Sequence, residues 1–151
     1  MLRPAKPEMS FMSAALNPEN DPAEWLRFAA SDLAIARCTQ DDPEILPSQI
    51  GFHAQQAAEK AIKGAMLHHG IPFPKTHDLD ELVALWKNAQ RPWPEAFDGI
   101  TEMTIFAVRA RYPGDIDPPM RADAAEAILL AEQILAWAGA ALGQPKKNSP
   151  A

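Results

Sequence analysis

One stretch of the sequence, from Ile50 to Gly70, constrains the fold of this chain more than any other. It contains no proline, and small or apolar side chains recur in it every three or four residues, as one buried stripe on an α-helix requires. Gly70 follows the last periodic residue, where many helices end in a left-handed conformation. The stretch therefore predicts the central helix of a helical protein, with a buried stripe made of Ile50, Ala54, Ala57, Ala58, Ala61, Ile62, Ala65 and Met66.

The other face of this predicted helix carries polar side chains on neighbouring turns. Glu59 and Lys63 lie four residues apart, so we expect them to form an ion pair. Gln56, Lys60 and Lys63 are expected to project together. Such a face is the first place to look for function, but a charged face is also typical of a helix that simply meets water. The residues alone leave both interpretations open.

Four more helices are predicted around the central one. Apolar periodicity and helix-capping residues place the first from Asp21 to about Cys38 and a short one through Leu79 and Trp86. The other two run from Pro94 to about Arg109 and from about Pro119 to Leu142. The buried side of the first helix is expected to contain Trp25, Phe28, Ala29, Leu33 and Ala36.

Five predicted helices joined by modest loops, without strand-like alternation, predict an all-α protein. We expect an up-and-down bundle of four to five helices that occupies residues 21–142. Residues 1–20 are predicted to be a flexible N-terminal arm, and residues 143–151 a flexible C-terminal tail, because neither segment has a usable hydrophobic period.

Net charge and cysteine content limit the cellular compartment and the classes of partner that we expect. The net charge of −6 argues against general electrostatic capture of nucleic acid but leaves room for a local basic groove. The single cysteine, Cys38, favours a reducing compartment, and we expect it to be buried. No secretory signal and no apolar run of bilayer length is recognised, so we expect a cytoplasmic protein without a membrane partner.

The histidines do not indicate a metal site. His53, His68, His69 and His77 have no metal-ligand spacing and no accompanying cysteine pair. The sequence also contains no Gly-rich phosphate loop, no nucleophile elbow and no paired carboxylates with hydrolase spacing. We therefore expect no metal and no cofactor, and we assign no catalytic residue. His77, beside Asp78, can cap a helix or touch a ligand, and His53 can pack between helices.

A basic and aromatic run, Arg109-Ala110-Arg111-Tyr112, ends the fourth predicted helix at the turn residues Pro113-Gly114. Arginine forks suit phosphate oxygens, and a tyrosine ring can stack on a base. The run is therefore a candidate for a phosphate-binding or nucleotide-binding corner. Arginines near a helix C-terminus also interact favourably with the helix dipole, and Tyr112 can simply close the end of the bundle.

Four motifs taken together resemble the HEPN domain of prokaryotes (higher eukaryotes and prokaryotes nucleotide-binding). They are Asp32-Leu33-x-x-Ala36, FHAQQAAEKAIKGAML at residues 52–67, THDL at residues 76–79, and ARYP at residues 110–113. The resemblance extends from about Asp21 to Leu142. It implies an all-helical bundle that is usually dimeric and is often encoded beside a minimal nucleotidyltransferase, with which it forms a two-component nucleotidyltransferase or a toxin–antitoxin module.

The resemblance raises the functional interpretation of the polar residues. We expect a groove that binds a nucleotide of the ATP or GTP class and is lined by Lys60, Lys63, His77, Arg109, Arg111 and Tyr112. His53 and Gln56 are secondary candidates. We also expect a homodimer, for which the apolar surplus that includes Trp25, Trp86, Trp93 and Trp137 gives independent reason.

Several HEPN branches are metal-independent ribonucleases whose signature is an arginine followed, after four to six residues, by a histidine. None of the arginines of this chain has a histidine at that spacing: Arg3, Arg27, Arg37, Arg91, Arg109, Arg111 and Arg121. The departure favours a noncatalytic HEPN protein that binds a nucleotide and acts with a separate minimal nucleotidyltransferase. Two alternatives stay open: a ribonuclease toxin that cleaves RNA at a noncanonical site, and a structural dimeric interaction module.

Overall fold

The computed structural model describes residues 17–109, 113–114 and 117–143, with only the backbone described for residues 107–109. All regular structure in these ranges is helical, so the prediction of an all-α bundle is confirmed. Two 3-10 turns, Pro18–Asn20 and Glu95–Phe97, accompany five helices: α1 (Pro22–Thr39), α2 (Pro47–His68), α3 (Leu79–Asn88), α4 (Ile100–Arg109) and α5 (Arg121–Leu142).

The predicted domain limits stay predictions. Residues 1–16 of the predicted arm and 144–151 of the predicted tail lie outside the described residues. The end of the predicted arm has regular structure, because the Asn17 side chain accepts a hydrogen bond from the Glu19 N–H at 3.1 Å and caps the first 3-10 turn. The indole N–H of Trp25 donates to the Glu19 carbonyl at 3.0 Å and ties this turn to α1.

Local signals in the sequence set the helix ends. Asp21 caps α1 by accepting the Ala23 N–H at 3.0 Å, and Asp78 caps α3 by accepting the Asp80 N–H at 2.9 Å. Gly70 has a φ of 69° after α2, as predicted. There the Ile71 N–H donates to the Met66 carbonyl at 2.9 Å and the Gly70 N–H to Leu67 at 3.2 Å, a Schellman motif.

Helix α2 lies at the centre of the bundle, between α1, α4 and α5. Helix α1 runs antiparallel to it, because Leu26 lies near Gly64 while Asp32, further along α1, reaches back to His53. Arg121, at the start of α5, donates to three carbonyls that precede α2, so α5 begins at the same end as α2. The predicted stripe of α2 is confirmed, since each of its eight residues is buried.

Two burial predictions for α1 are wrong. The side of α1 that packs in the core is narrow and consists of Ala29, Leu33 and Ala36, all nearly inaccessible. Phe28 lies one residue, or about a hundred degrees, away from this seam and is 51% exposed, with the Arg27 guanidinium 5.2 Å from its ring centre. Cys38 is exposed as well. The small alanines let α2 approach closely and leave no room for the larger ring.

Helix α4 begins at Ile100, later than the predicted Pro94, because the 3-10 turn Glu95–Phe97 comes between them. It approaches α2 closely where Gly51 faces the ring of Phe106. A Cβ atom added at Gly51 would lie 2.2 Å from that ring, well inside van der Waals contact. The absence of a side chain at Gly51 is therefore what allows this helix crossing.

No apolar run of bilayer length is recognised in the sequence, yet α5 is long and apolar enough to cross a membrane by length and composition. In the bundle, many apolar residues of α5 are buried against other helices. One side of the helix packs into the core through Ala124, Ala127, Ile128, Ala131, Ile134, Ala138 and Ala141. The same composition is what the core helix of a helical bundle requires.

An aromatic cluster closes the end of the bundle near the end of α2. Trp137 lies between Trp86, at 4.9 Å between ring centres, and Trp93, at 5.1 Å. These rings were part of the apolar surplus that suggested dimerisation, and they pack within one chain. His69 joins the cluster 5.6 Å from Trp86, and among the described residues no partner meets hydrogen-bond geometry with either of its ring nitrogens.

Burial, together with the nearby charges of Arg91 and His68, holds the pKa of His69 below its usual 6.5, against a weaker opposing effect of the Ala141 backbone. The imidazole of His69 therefore takes up a proton less readily in the folded chain than in the unfolded chain. The contribution of His69 to the free energy of unfolding is therefore fully present above the pKa that this residue has in the unfolded chain. It is lost as the pH falls from that value toward the lower pKa of the folded chain.

We expect His69→Phe to reduce the loss of stability between about pH 7 and pH 5, because the substitution removes the group whose pKa differs between the two states. The measurement is the free energy of unfolding by urea at several pH values. Other titrating groups are common to both proteins, so the difference between the two slopes isolates His69. Equal slopes would contradict this assignment.

Replacing Gly51 with alanine tests the crossing of α2 and α4. We expect a loss of about 1–3 kcal/mol in the free energy of unfolding, because Phe106 must leave its position or α4 must shift. The matched control is Gly139→Ala in α5, where an added Cβ meets no atom within 4 Å. This control should gain about 0.5–1 kcal/mol from helix propensity. Similar urea midpoints for both variants would contradict the close approach.

Candidate functional site

A buried carboxylate organises the polar face of α2. Glu59 accepts a hydrogen bond from the Lys63 ammonium at 2.9 Å, which confirms the predicted pair. Gln55 and Gln56 donate side-chain N–H groups to the same carboxylate at 3.2 and 3.3 Å. Nδ1 of His77 lies 3.1 Å from both carboxylate oxygens. Four side chains therefore share one anion, an arrangement called here the Glu59 network.

The Glu59 network also fixes the connection between α2 and α3. Lys63 donates to the carbonyl of Thr76 at 2.8 Å, and Gln55 donates to the carbonyl of His77 at 3.3 Å. This connection covers the polar face, which the sequence suggested would be open to a ligand or to water. Gln55, Glu59 and Lys63 are consequently 0%, 3% and 6% exposed. Burial is tolerated because each charge has a partner.

The chemistry of Glu59 determines which nitrogen of His77 carries a proton. A carboxylate that faces an ammonium and amide N–H groups acts only as a hydrogen-bond acceptor. Nδ1 of His77 must therefore donate to Glu59, and in the neutral ring Nε2 carries the lone pair. The side chain is 64% exposed, so this nitrogen is accessible from solvent. The imidazole is thus held in one tautomer by a buried partner.

A second network lies one turn away, between α1 and α2. Lys60 donates to one carboxylate oxygen of Asp32, and Nδ1 of His53 lies 3.2 Å from the other. The side chains of Asp32, Lys60 and His53 are 13%, 27% and 30% exposed. Like the Glu59 network, this Asp32 network joins a carboxylate to one lysine and one histidine, but it contains no glutamine.

Trp25 lines a cleft beside each network. The larger cleft, of about 580 Å³, is lined by Trp25, Phe73, Lys63 and Lys75, among others, and is called here the Trp25–Phe73 cleft. The second, of about 410 Å³, contains Trp25, Phe28 and Lys60. Trp25 and Phe73 meet edge to face at 6.0 Å, and the Lys63 ammonium lies 5.9 and 5.7 Å from their ring centres.

Comparison with known proteins assigns the chain to a family. A family model described as the HEPN domain matches residues 23–141. The chain belongs to the HEPN family. The match includes both networks and all five helices except the first residue of α1 and the last of α5, so the resemblance seen in the sequence motifs is confirmed.

A solved structure supports the same assignment. The crystal structure of ST0689, an archaeal HEPN homologue, superimposes with a TM-score of 0.61 at 26% sequence identity. The match covers 81% of this chain and 98% of the archaeal chain. Among curated proteins, none gives a significant match.

The HEPN bundle brings some of the predicted site residues together and separates others. Lys63, His77 and Gln56 converge on Glu59, whereas Lys60 and His53 converge on Asp32. The remaining predicted residues cannot be placed relative to them: Arg111 and Tyr112 lie outside the described residues, and so does the side chain of Arg109. Nucleotide binding by the whole set stays a prediction.

Several residues of the candidate site were not selected from the sequence. Trp25, Phe73 and Lys75 line the cleft, and Asp32 and Gln55 hold polar partners. Asp32 did appear in a family motif, but its contact with Lys60 spans 28 positions and no local period indicates it. In the described part of the chain, no three His, Cys, Asp or Glu side chains are grouped so as to bind a metal ion.

Removing the Glu59 charge tests the network. In Glu59→Gln the Lys63 ammonium, whose side chain is 8% exposed, loses its buried counter-charge. We expect a loss of about 3–5 kcal/mol in the free energy of unfolding, and recovery of much of it in the double variant Glu59→Gln/Lys63→Met. Urea denaturation of the single and double variants gives the coupling energy.

The control for this cycle is an exposed pair. Arg27 pairs with Glu24 at 2.8 Å but its side chain is 70% exposed, so Glu24→Gln should leave the urea midpoint unchanged. If Glu59→Gln behaves like Glu24→Gln, the Glu59 network does not stabilise the fold.

Proposed function

We propose that this chain is a noncatalytic HEPN subunit that binds a nucleotide and acts with a separate minimal nucleotidyltransferase chain, as a two-component or toxin–antitoxin-like module. The partner would supply the catalytic carboxylates, since this sequence has neither a Gly-Ser turn ahead of paired aspartates nor the Arg-x4-6-His ribonuclease signature. The observation that carries the proposal is the Trp25–Phe73 cleft.

The size and walls of this cleft suit a nucleotide. Its volume of about 580 Å³ lies in the range of small-molecule sites. Aromatic faces such as those of Trp25 and Phe73 accept a base by stacking, and the stacking tolerates different bases. The hydrogen bond from the Trp25 indole to Glu19 holds one aromatic wall in place before a ligand binds.

The two lysines of the cleft have different roles toward a bound phosphate. Lys63 already donates to Glu59 and Thr76, so it contributes a positive potential more than a free hydrogen-bond donor. Lys75 is exposed, and its ammonium can move to meet a phosphate.

Calorimetric titration with ATP, GTP and AMP tests nucleotide binding. We expect Lys75→Ala to weaken binding by on the order of tenfold, because one charge-assisted hydrogen bond is lost. The matched control is Lys87→Ala, an exposed lysine on α3 outside the cleft. Arg111→Ala tests the part of the predicted site that lies beyond the described residues. No heat with any nucleotide at millimolar concentration would exclude the proposal.

A ribonuclease with a noncanonical site is the second candidate, and His77 is the observation that favours it. Its accessible Nε2 and its carboxylate-held Nδ1 form the arrangement that general acid–base catalysis uses. Labelled RNA should then be cleaved in the presence of a chelator, and His77→Gln should abolish cleavage while keeping the fold. Intact RNA with the wild-type protein would eliminate this candidate.

A further inference from the structure

The formal charge of the Trp25–Phe73 cleft is balanced. Lys63 and Lys75 supply two ammonium groups to the lining. Glu19 lines the same cleft, and Glu59 lies 2.9 Å from the Lys63 ammonium. The lining itself has two positive groups and one negative group, and Glu59, which does not line the cleft, neutralises Lys63 from behind. The cleft therefore does not resemble the cation-rich pockets that hold polyphosphates.

The neighbouring cleft does not add positive charge. Lys60 is paired with Asp32, and the remaining charged side chains of that lining, Glu19 and Glu24, are acidic. A polyphosphate that extended from one cleft past Trp25 into the other would therefore meet carboxylates. Each further phosphate charge would lose water without gaining a cation, which is unfavourable.

Lys75 differs from the other two lysines because its ammonium has no acidic partner in the described part of the chain. Lys75 is exposed, and among the described residues no carboxylate lies within ion-pair distance of it. A single mobile ammonium matches a single phosphate group. The aromatic walls, by contrast, offer contact to a base whatever the number of phosphates.

We propose that the Trp25–Phe73 cleft takes a nucleoside monophosphate, recognised through its base by Trp25 and Phe73 and through its one phosphate by Lys75. This inference rests on the proposed nucleotide-binding function and narrows its ligand, because the ATP or GTP class expected from the sequence would carry phosphates that the described cleft does not neutralise. Lys63 shapes the wall of the cleft and keeps Glu59 paired.

The experiment is a calorimetric series of adenosine, AMP, ADP and ATP, and the guanosine equivalents, with and without Mg²⁺. We expect AMP or GMP to bind about tenfold more tightly than the nucleoside, as one charge-assisted contact implies. The di- and triphosphates should bind no more tightly than the monophosphate. Lys75→Ala should remove the difference between AMP and adenosine and leave adenosine binding unchanged, whereas Lys87→Ala should change neither.

The outcomes separate this inference from the proposed function. If affinity rises tenfold or more from AMP to ATP, the nucleotide-binding function stands and the monophosphate assignment is wrong. If Lys75→Ala weakens adenosine and AMP equally, Lys75 does not hold the phosphate and the assignment is also wrong. If no nucleoside or nucleotide binds, the proposed function fails, and the inference that rests on it fails as well.

Discussion

The Glu59 carboxylate has to be paired because the part of the central helix that carries it is buried. Small side chains on one face of α2 let α1, α4 and α5 approach closely, and the connection before α3 covers the polar face. Glu59 and Lys63 lie under this connection and cannot reach water, so each needs a partner within the chain. Lys63, His77 and two glutamines therefore converge on one anion, and their contacts hold the covering segment in place.

The sequence predicted those features of the fold that depend on local spacing. The buried stripe of α2, the caps at Asp21 and Asp78, the left-handed Gly70 and the Glu59–Lys63 pair all follow from residues a few positions apart. Such features can be read without knowing the tertiary structure, since the geometry of a single helix determines them.

The parts of the site that the sequence did not predict depend on long-range packing. Asp32 meets Lys60 only because α1 runs antiparallel to α2, and Phe73 meets Trp25 only because the connection folds back over α2. Phe28 shows the reverse case: it fits the apolar period of α1, yet a narrow alanine seam excludes it from the core. The period of a helix indicates which residues can be buried, but the width of the contact decides which ones are.

The burial of Lys63 has a consequence for the proposed nucleotide ligand. A phosphate that drew this ammonium away from Glu59 and the Thr76 carbonyl would loosen the connection that covers part of α2. Strong binding of a polyanion would then oppose the packing of the central helix, because an unpaired Glu59 would stay buried. A ligand held mainly by its base leaves these contacts intact. The same pairing that allows α2 to be enclosed therefore favours recognition by stacking over recognition by charge.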